Sequence, residues 1–266
     1  MTFWTYGPHG PASSWRSIVV PAWEEIRENY TASTQAELER LMTGFRPAHG
    51  GQLILWHGLA GTGKTFGLRA LAWEWRDWCD FHYVVDPDSF FGEHADYLMG
   101  VLLQPEYMAE PVAAMRIVPR GWTSYGIVRG NGDDEDDEQE AAASKWRVLL
   151  LEDTGDLLAA DARVRVGQGL SRFLNVVDGL IGQGLKVLVL VTTNEEIRRL
   201  HPAVARPGRS AANVEFLPLS AEESNAWLER HAVDERVQAA STLATLYARK
   251  EGVEPGATPT SPGFGG

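Results

Sequence analysis

The sequence predicts an α/β fold of three layers, α/β/α, with a mostly parallel five-stranded sheet and a small C-terminal helical lid. Three observations predict it. Short apolar runs at Leu53–Trp56, Val148–Leu151 and Val187–Val191 have the length and composition of strands buried on both faces. Segments with apolar residues at helical spacing alternate with them, which requires parallel crossover connections. From Ser220 onward the pattern becomes helical throughout.

Taken in order, residues 1–50 hold Pro8, Pro11, Pro21 and Pro47 around a helix from about Thr34 to Met42, with Leu38, Leu41 and Met42 on one face. This stretch reads as a linker segment packed on the main domain. Its aromatics Phe3, Trp4, Tyr6, Trp15 and Trp23 serve either that packing, the commoner use, or a partner surface. The core spans residues 51–218. Its first strand, Leu53–Trp56, leads through a glycine-rich turn to a helix over about Phe66–Trp78, where Leu68, Leu71, Ala72 and Trp75 recur at helical spacing. Trp73, Trp75 and Trp78 read as packing anchors. Strands follow at Phe81–Val85, Lys145–Leu151, Lys186–Thr192 and Asn213–Phe216, with a helix over Ala95–Leu103. Residues 130–144 contain an unbroken run of like charge, which predicts a solvated disordered loop; a calcium site would need spaced ligands and a turn glycine that the run lacks. In the lid, residues 219–252, Ser220 and Glu223 form a capping box, and a second helix is expected over Asp234–Lys250, stopped by Gly252. Residues 253–266, rich in Gly, Pro, Ser and Thr, read as a disordered tail.

At 266 residues the chain is long enough for one such unit and its lid. A net charge of −12 argues against broad attraction to nucleic acid or anionic membranes, so neither is an expected partner. The single cysteine, Cys79, excludes an intrachain disulfide and fits a reducing compartment. No export signal or membrane-spanning run is recognisable, and a cytoplasmic location is expected.

The chemistry begins at Gly58–Thr65, which reads Gly-Leu-Ala-Gly-Thr-Gly-Lys-Thr between a strand and a helix. Backbone N–H groups of such a turn converge on phosphate oxygens, and the following helix adds its positive end. The nucleotide-contacting set is Gly58, Ala60, Gly61, Thr62, Gly63, Lys64, Thr65 and Phe66. Lys64 would reach the β- and γ-phosphates, and Thr65 would hold Mg²⁺. Glu152 and Asp153 end a buried strand; Glu152 would hold Mg²⁺ through water, and Asp153 would orient or deprotonate the attacking water. Asn194, at the end of the next strand, would sense the γ-phosphate; a turn or cap role is the alternative. Arg206 and Arg209 flank a Pro-Gly turn that could present a guanidinium to a neighbouring subunit's γ-phosphate; two solvated arginines are the alternative.

In this order the motifs resemble the AAA+ ATPases, especially the AAA subgroup with an Arg-Pro-Gly-Arg-like turn, over about residues 50–230. The resemblance implies a P-loop NTPase fold with Gly58–Thr65 as Walker A, Glu152 and Asp153 as Walker B, Asn194 as sensor 1, and Arg206 and Arg209 as the arginine-finger pair. It implies ATP as the nucleotide with Mg²⁺, and a homo-oligomer, usually a hexameric ring with ATP between subunits. It also implies coupling of ATP hydrolysis to remodelling of a protein substrate or adaptor. The sequence departs from the family in its Glu-Asp acid order, its short lid and the lack of a recognisable sensor 2 arginine. Ser89-Phe90-Phe91-Gly92 lies where threading members carry a pore loop, and its rings either grip a substrate chain or belong to the core. The alternative function is a nucleotide-gated binding switch with little hydrolysis; a nucleic-acid motor is disfavoured by the acidic charge.

Overall fold

The computed structural model describes residues 1–47, 53–91, 94–103, 145–154, 173, 186–195 and 210–253. The expected acidic loop 130–144, Arg206, Arg209 and the tail from residue 254 lie outside the described residues.

Strands β1 (Thr2–Gly7), β2 (Gly10–Trp15), β3 (Leu53–His57), β4 (Cys79–Val84), β5 (Trp146–Leu151), β6 (Val187–Thr193) and β7 (Ser210–Glu215) form one sheet in the order β2-β1-β4-β5-β6-β3-β7. The predicted fold class is thereby corrected: among the described residues the sheet has seven strands and is mixed, because β1 and β2 form an antiparallel hairpin on the edge of β4. The remaining pairs, β1 with β4 included, run parallel.

Period-two alternation divides the central strands between two cores. Ile54, Trp56, Val148, Leu150, Leu188 and Leu190 face one side and pack with helix α3 (Lys64–Glu74) and the N-terminal helices α1 (Trp23–Ile26) and α2 (Ala32–Glu39). Leu53, Leu55, Leu149, Leu151, Val189 and Val191 face the other, with α4 (Pro87–Phe91) and α5 (Ala95–Leu103). Each such buried aliphatic side chain contributes about 1.5–3 kcal/mol of transfer free energy, so the strands that carry the site rest on a rigid base. Phe90 and Phe91 are buried among Tyr97 and Phe173, which settles the choice between grip and core in favour of core.

The N-terminal segment does pack on the domain, and it also extends the sheet. Trp4 is buried, and its indole Nε1 donates to His82 Nδ1 at 2.9 Å across the β1–β4 pairing. Trp23 is buried as well, whereas Trp15 is 65% exposed. Burial, helped by the Arg147 cation, pulls the His82 pKa from 6.5 to about 4. The bond from Trp4 requires an unprotonated Nδ1, so geometry and burial both favour the neutral ring. Between pH 6.5 and 4 the unfolded chain binds the extra proton. His82 therefore contributes stability that is fully present above 6.5 and lost as pH falls toward 4, on the order of 3 kcal/mol. A melting series over that range should show the loss, and His82→Gln should flatten it; equal acid sensitivity in the variant would place the cause elsewhere.

Thr31 caps α2, and Thr34 donates from its hydroxyl to the Glu215 carbonyl at 2.7 Å, tying the expected 34–42 helix to β7. The helix continues as a π turn over Arg40–Gly44. In the lid, α6 (Ala221–Arg230) carries the Ser220–Glu223 capping box, and α7 (Leu243–Lys250) ends before Gly252, whose φ is +69°. The helix predicted from Asp234 starts only at Leu243. Asn225 bonds both the N–H and the C=O of Val237, and Leu219 bridges Ser241, so the intervening backbone is claimed by α6 instead of by a helix. Among the described residues no helix is long and apolar enough to cross a membrane.

Candidate nucleotide-binding site

β3 delivers the glycine-rich turn to the carboxyl edge of the sheet, where it meets the ends of β5 and β6. Gly58 has φ +137°, and a Cβ there would sit 2.2 Å from the Phe216 carbonyl oxygen. Only glycine fits that conformation and that gap. Gly58→Ala should lower stability by about 1–3 kcal/mol, read as a drop in melting temperature; an unshifted melt would show that the Phe216 segment can retreat. Gly63, at φ +96°, caps α3 and faces Leu243 of the lid and the Tyr30 ring. Within the turn, Thr62 Oγ1 donates to Leu59 O at 2.7 Å; from outside it, Tyr30 donates to Gly63 O at 3.1 Å and the Ala244 N–H to Gly61 O at 2.9 Å. The turn is held by the N-terminal segment on one side and the lid on the other.

Beside it opens a cavity of about 880 Å³. At one end Lys64 Nζ donates to Gly58 O (2.7 Å), Leu59 O (3.0 Å) and Asn194 Oδ1 (2.9 Å). Burial lowers the Lys64 pKa, and Asp153 and Glu152 oppose that shift. Asn194 Nδ2 in turn donates to Asp153 Oδ1 at 2.8 Å. Asp153 adopts φ +53°, a left-handed conformation uncommon outside glycine and tolerated by Asp and Asn. Its backbone N–H is held by Thr192 Oγ1 at 3.1 Å. Thr65 Oγ1 donates to Glu152 Oε1 at 2.9 Å. The parallel register Leu151↔Val191 puts these groups together, since it aligns the residues that follow β5 with the end of β6.

The structure thus brings Lys64, Thr65, Glu152, Asp153 and Asn194 to one mouth. Ala60, Gly61, Gly63 and Phe66 also line the cavity, whereas Gly58 and Thr62 shape the turn. Sequence reasoning missed Tyr83 on β4, which lines the cavity together with Glu152; burial and the nearby Glu152 carboxylate raise its pKa. It named no residue for the lid-side wall of the cavity. The second lid helix, α7, supplies that wall through Leu243, Ala244, Tyr247 and Ala248, and the Tyr247 ring stacks on Phe66 with centroids 5.9 Å apart. No motif announces Tyr83 or α7; strand adjacency and lid packing place them.

Thr65 and Glu152 are hard oxygen donors within reach of one ion. Among the described residues no group of three or more His, Cys, Asp or Glu forms a metal cage. This pair suits Mg²⁺, which takes one or two protein oxygens and completes its shell with phosphate and water.

No curated protein matches the chain. The family whose model matches is a domain of unknown function, DUF5925, over residues 1–43, the hairpin and first helices. A solved structure, that of the E. coli MS115-1 HORMA:CdnC:Trip13 complex, contains a similar chain: 18% identity over 92% of this chain and 81% of that one, with a TM-score of 0.49. The family-model match, to a domain of unknown function, corrects the identification with the AAA+ ATPases, which rested on motif order, and that assignment is not retained. What the site does is argued below from its own atoms.

Proposed function

We propose that this site binds a nucleoside triphosphate with Mg²⁺, ATP in the first instance, and hydrolyses its terminal anhydride. The observation that carries the reading is the bonded path Lys64–Asn194–Asp153, set beside the Thr65–Glu152 pair at the mouth of one cavity. The turn's N–H groups and the start of α3 bind the phosphates, and Lys64 adds a mobile cation. Bound Mg²⁺ would neutralise phosphate charge. Asp153 accepts the proton of the attacking water. A γ-phosphate that engages Lys64 competes with Asn194 Oδ1 for the ammonium, so occupancy is passed to Asp153 through one side chain. In the same proposal Arg206 and Arg209 contact the γ-phosphate of a second copy of the chain, turnover acts on a partner protein, and the protein works in the cytoplasm.

The test is steady-state phosphate release from ATP, with and without Mg²⁺, over a range of protein concentrations. Mg²⁺-dependent turnover is expected, with a specific activity that climbs with concentration where the site is shared between copies. Nucleotide binding without turnover would favour a nucleotide-gated switch, and absence of binding would overturn the reading.

A further inference from the structure

The Gly63 carbonyl, at the start of α3, accepts two hydrogen bonds. One is the helical bond from the Gly67 N–H at 3.0 Å, and the other comes from the Tyr30 hydroxyl at 3.1 Å. A trans peptide points its C=O and its N–H in opposite directions, so fixing the Gly63 oxygen from behind aims the Lys64 N–H away from Tyr30. That N–H is one of the helix-start donors with no intrahelical partner, and Gly63 and Lys64 both line the cavity. A second glycine makes room for the phenol. Gly67 lies inside α3, where glycine weakens a helix relative to alanine, yet a Cβ there would meet the Tyr30 hydroxyl oxygen at 3.3 Å and the Trp56 ring at 3.4 Å. The Tyr30 ring is buried against Trp23 and Phe216, with centroids 5.9 and 5.8 Å away. Its chain neighbours reach the lid: Asn29 Oδ1 accepts from Trp227 Nε1 on α6 at 2.7 Å, and Glu28 pairs with Arg230.

We propose that Tyr30 is a positioning residue of the phosphate turn: its hydroxyl, bonded to Gly63 O, holds the Gly63–Lys64 peptide so that the Lys64 N–H meets a phosphate oxygen. The N-terminal segment is thereby a working part of the site, since residues 28–30 brace both the turn and the lid from one short stretch of chain. The inference rests on the nucleotide-site reading above. A neutral hydrogen bond contributes a factor of roughly 5 to an equilibrium, so the turn loses about that much preorganisation when the hydroxyl is removed.

The experiment measures binding of a fluorescent ATP analogue with Mg²⁺ to the full chain as wild type, Tyr30→Phe, Gly67→Ala and the double variant, well below their melting temperatures. Tyr30→Phe keeps the ring and deletes the hydroxyl, whereas Gly67→Ala keeps the hydroxyl and displaces it with a Cβ. Affinity is expected to fall roughly 5-fold in each single variant and no further in the double variant, because both act on one bond. A purely structural role would lower the melting temperatures and leave the affinities of the folded proteins equal. That result, or a Gly67→Ala cost as large in the Tyr30→Phe background as in wild type, would overturn the role of Tyr30 and leave the nucleotide site standing. Each single variant also stands alone, so if one does not fold, unchanged affinity in the other overturns the role. Failure of the wild type to bind the analogue would instead remove the nucleotide site, and this inference with it.

Discussion

Lys64→Ala should weaken binding of a fluorescent triphosphate analogue by roughly 10²–10⁴-fold while leaving the fold in place. Hydrogen bonds between a charged donor and phosphate oxygens contribute about 1.5–3 kcal/mol each, and two of them span that range at tenfold per 1.4 kcal/mol. The fold should survive because what Lys64 holds without nucleotide is local. Two of its three partners are the carbonyls of Gly58 and Leu59 in its own turn, and water can replace it at the exposed Leu59 bond. The third, Asn194, keeps its bond to Asp153. Titration of the analogue, paired with a thermal melt, checks both halves of the expectation. Undiminished affinity would show that the phosphates do not lie where Lys64 reaches, and the phosphate cradle would have to be abandoned.

What the sequence disclosed follows from how local each signal is. The runs at Leu53, Val148 and Val187 are apolar at every position because both faces of β3, β5 and β6 are buried, and that signal needs no partner to be read. The hairpin was hidden for the opposite reason. β2 carries Gly10, Pro11, Ser13 and Ser14 and is largely exposed, so it shows no alternation, and Pro11 is tolerated because it lies on an edge strand. One of the prolines that suggested a linker, Pro11, thus belongs to a strand. The second lid helix was read too long because Asn225 reaches twelve residues ahead to bond Val237, a tertiary choice that overrides helical spacing. At the site, Lys64, Thr65, Glu152, Asp153 and Asn194 were legible because each closes a strand or opens a helix in a chemically distinctive way. Tyr83 was not, since a tyrosine within β4 looks like any strand aromatic until β5 brings Glu152 beside it. Motif order picked out side chains that line one cavity, and it did not suffice to name a family.

Asp153→Asn should lower ATP turnover by about 10²–10⁴-fold, the usual contribution of a positioned general base, with analogue binding nearly unchanged. Asparagine is the informative replacement because of the backbone. Asp153 sits at φ +53°, where Asn is among the few residues that rest without strain, and its backbone N–H is held by Thr192 Oγ1. The substitution thus removes the charge and keeps the turn, whereas alanine would confound lost chemistry with a strained loop. One contact must change: Asn194 Nδ2 now donates to a carboxylate oxygen, and it can donate equally to the new amide's oxygen if that oxygen occupies the place of Oδ1. Lys64 keeps its bonds, so phosphate binding should persist. The variant with Glu152→Gln then divides the two acids by role. If Asp153 handles the proton and Glu152 the metal, raising Mg²⁺ should partly restore turnover in Glu152→Gln and leave Asp153→Asn unmoved. Rescue of both by Mg²⁺, or of neither, would mean that the acids share one task, and the division drawn from the Thr65 and Asn194 hydrogen bonds would be wrong.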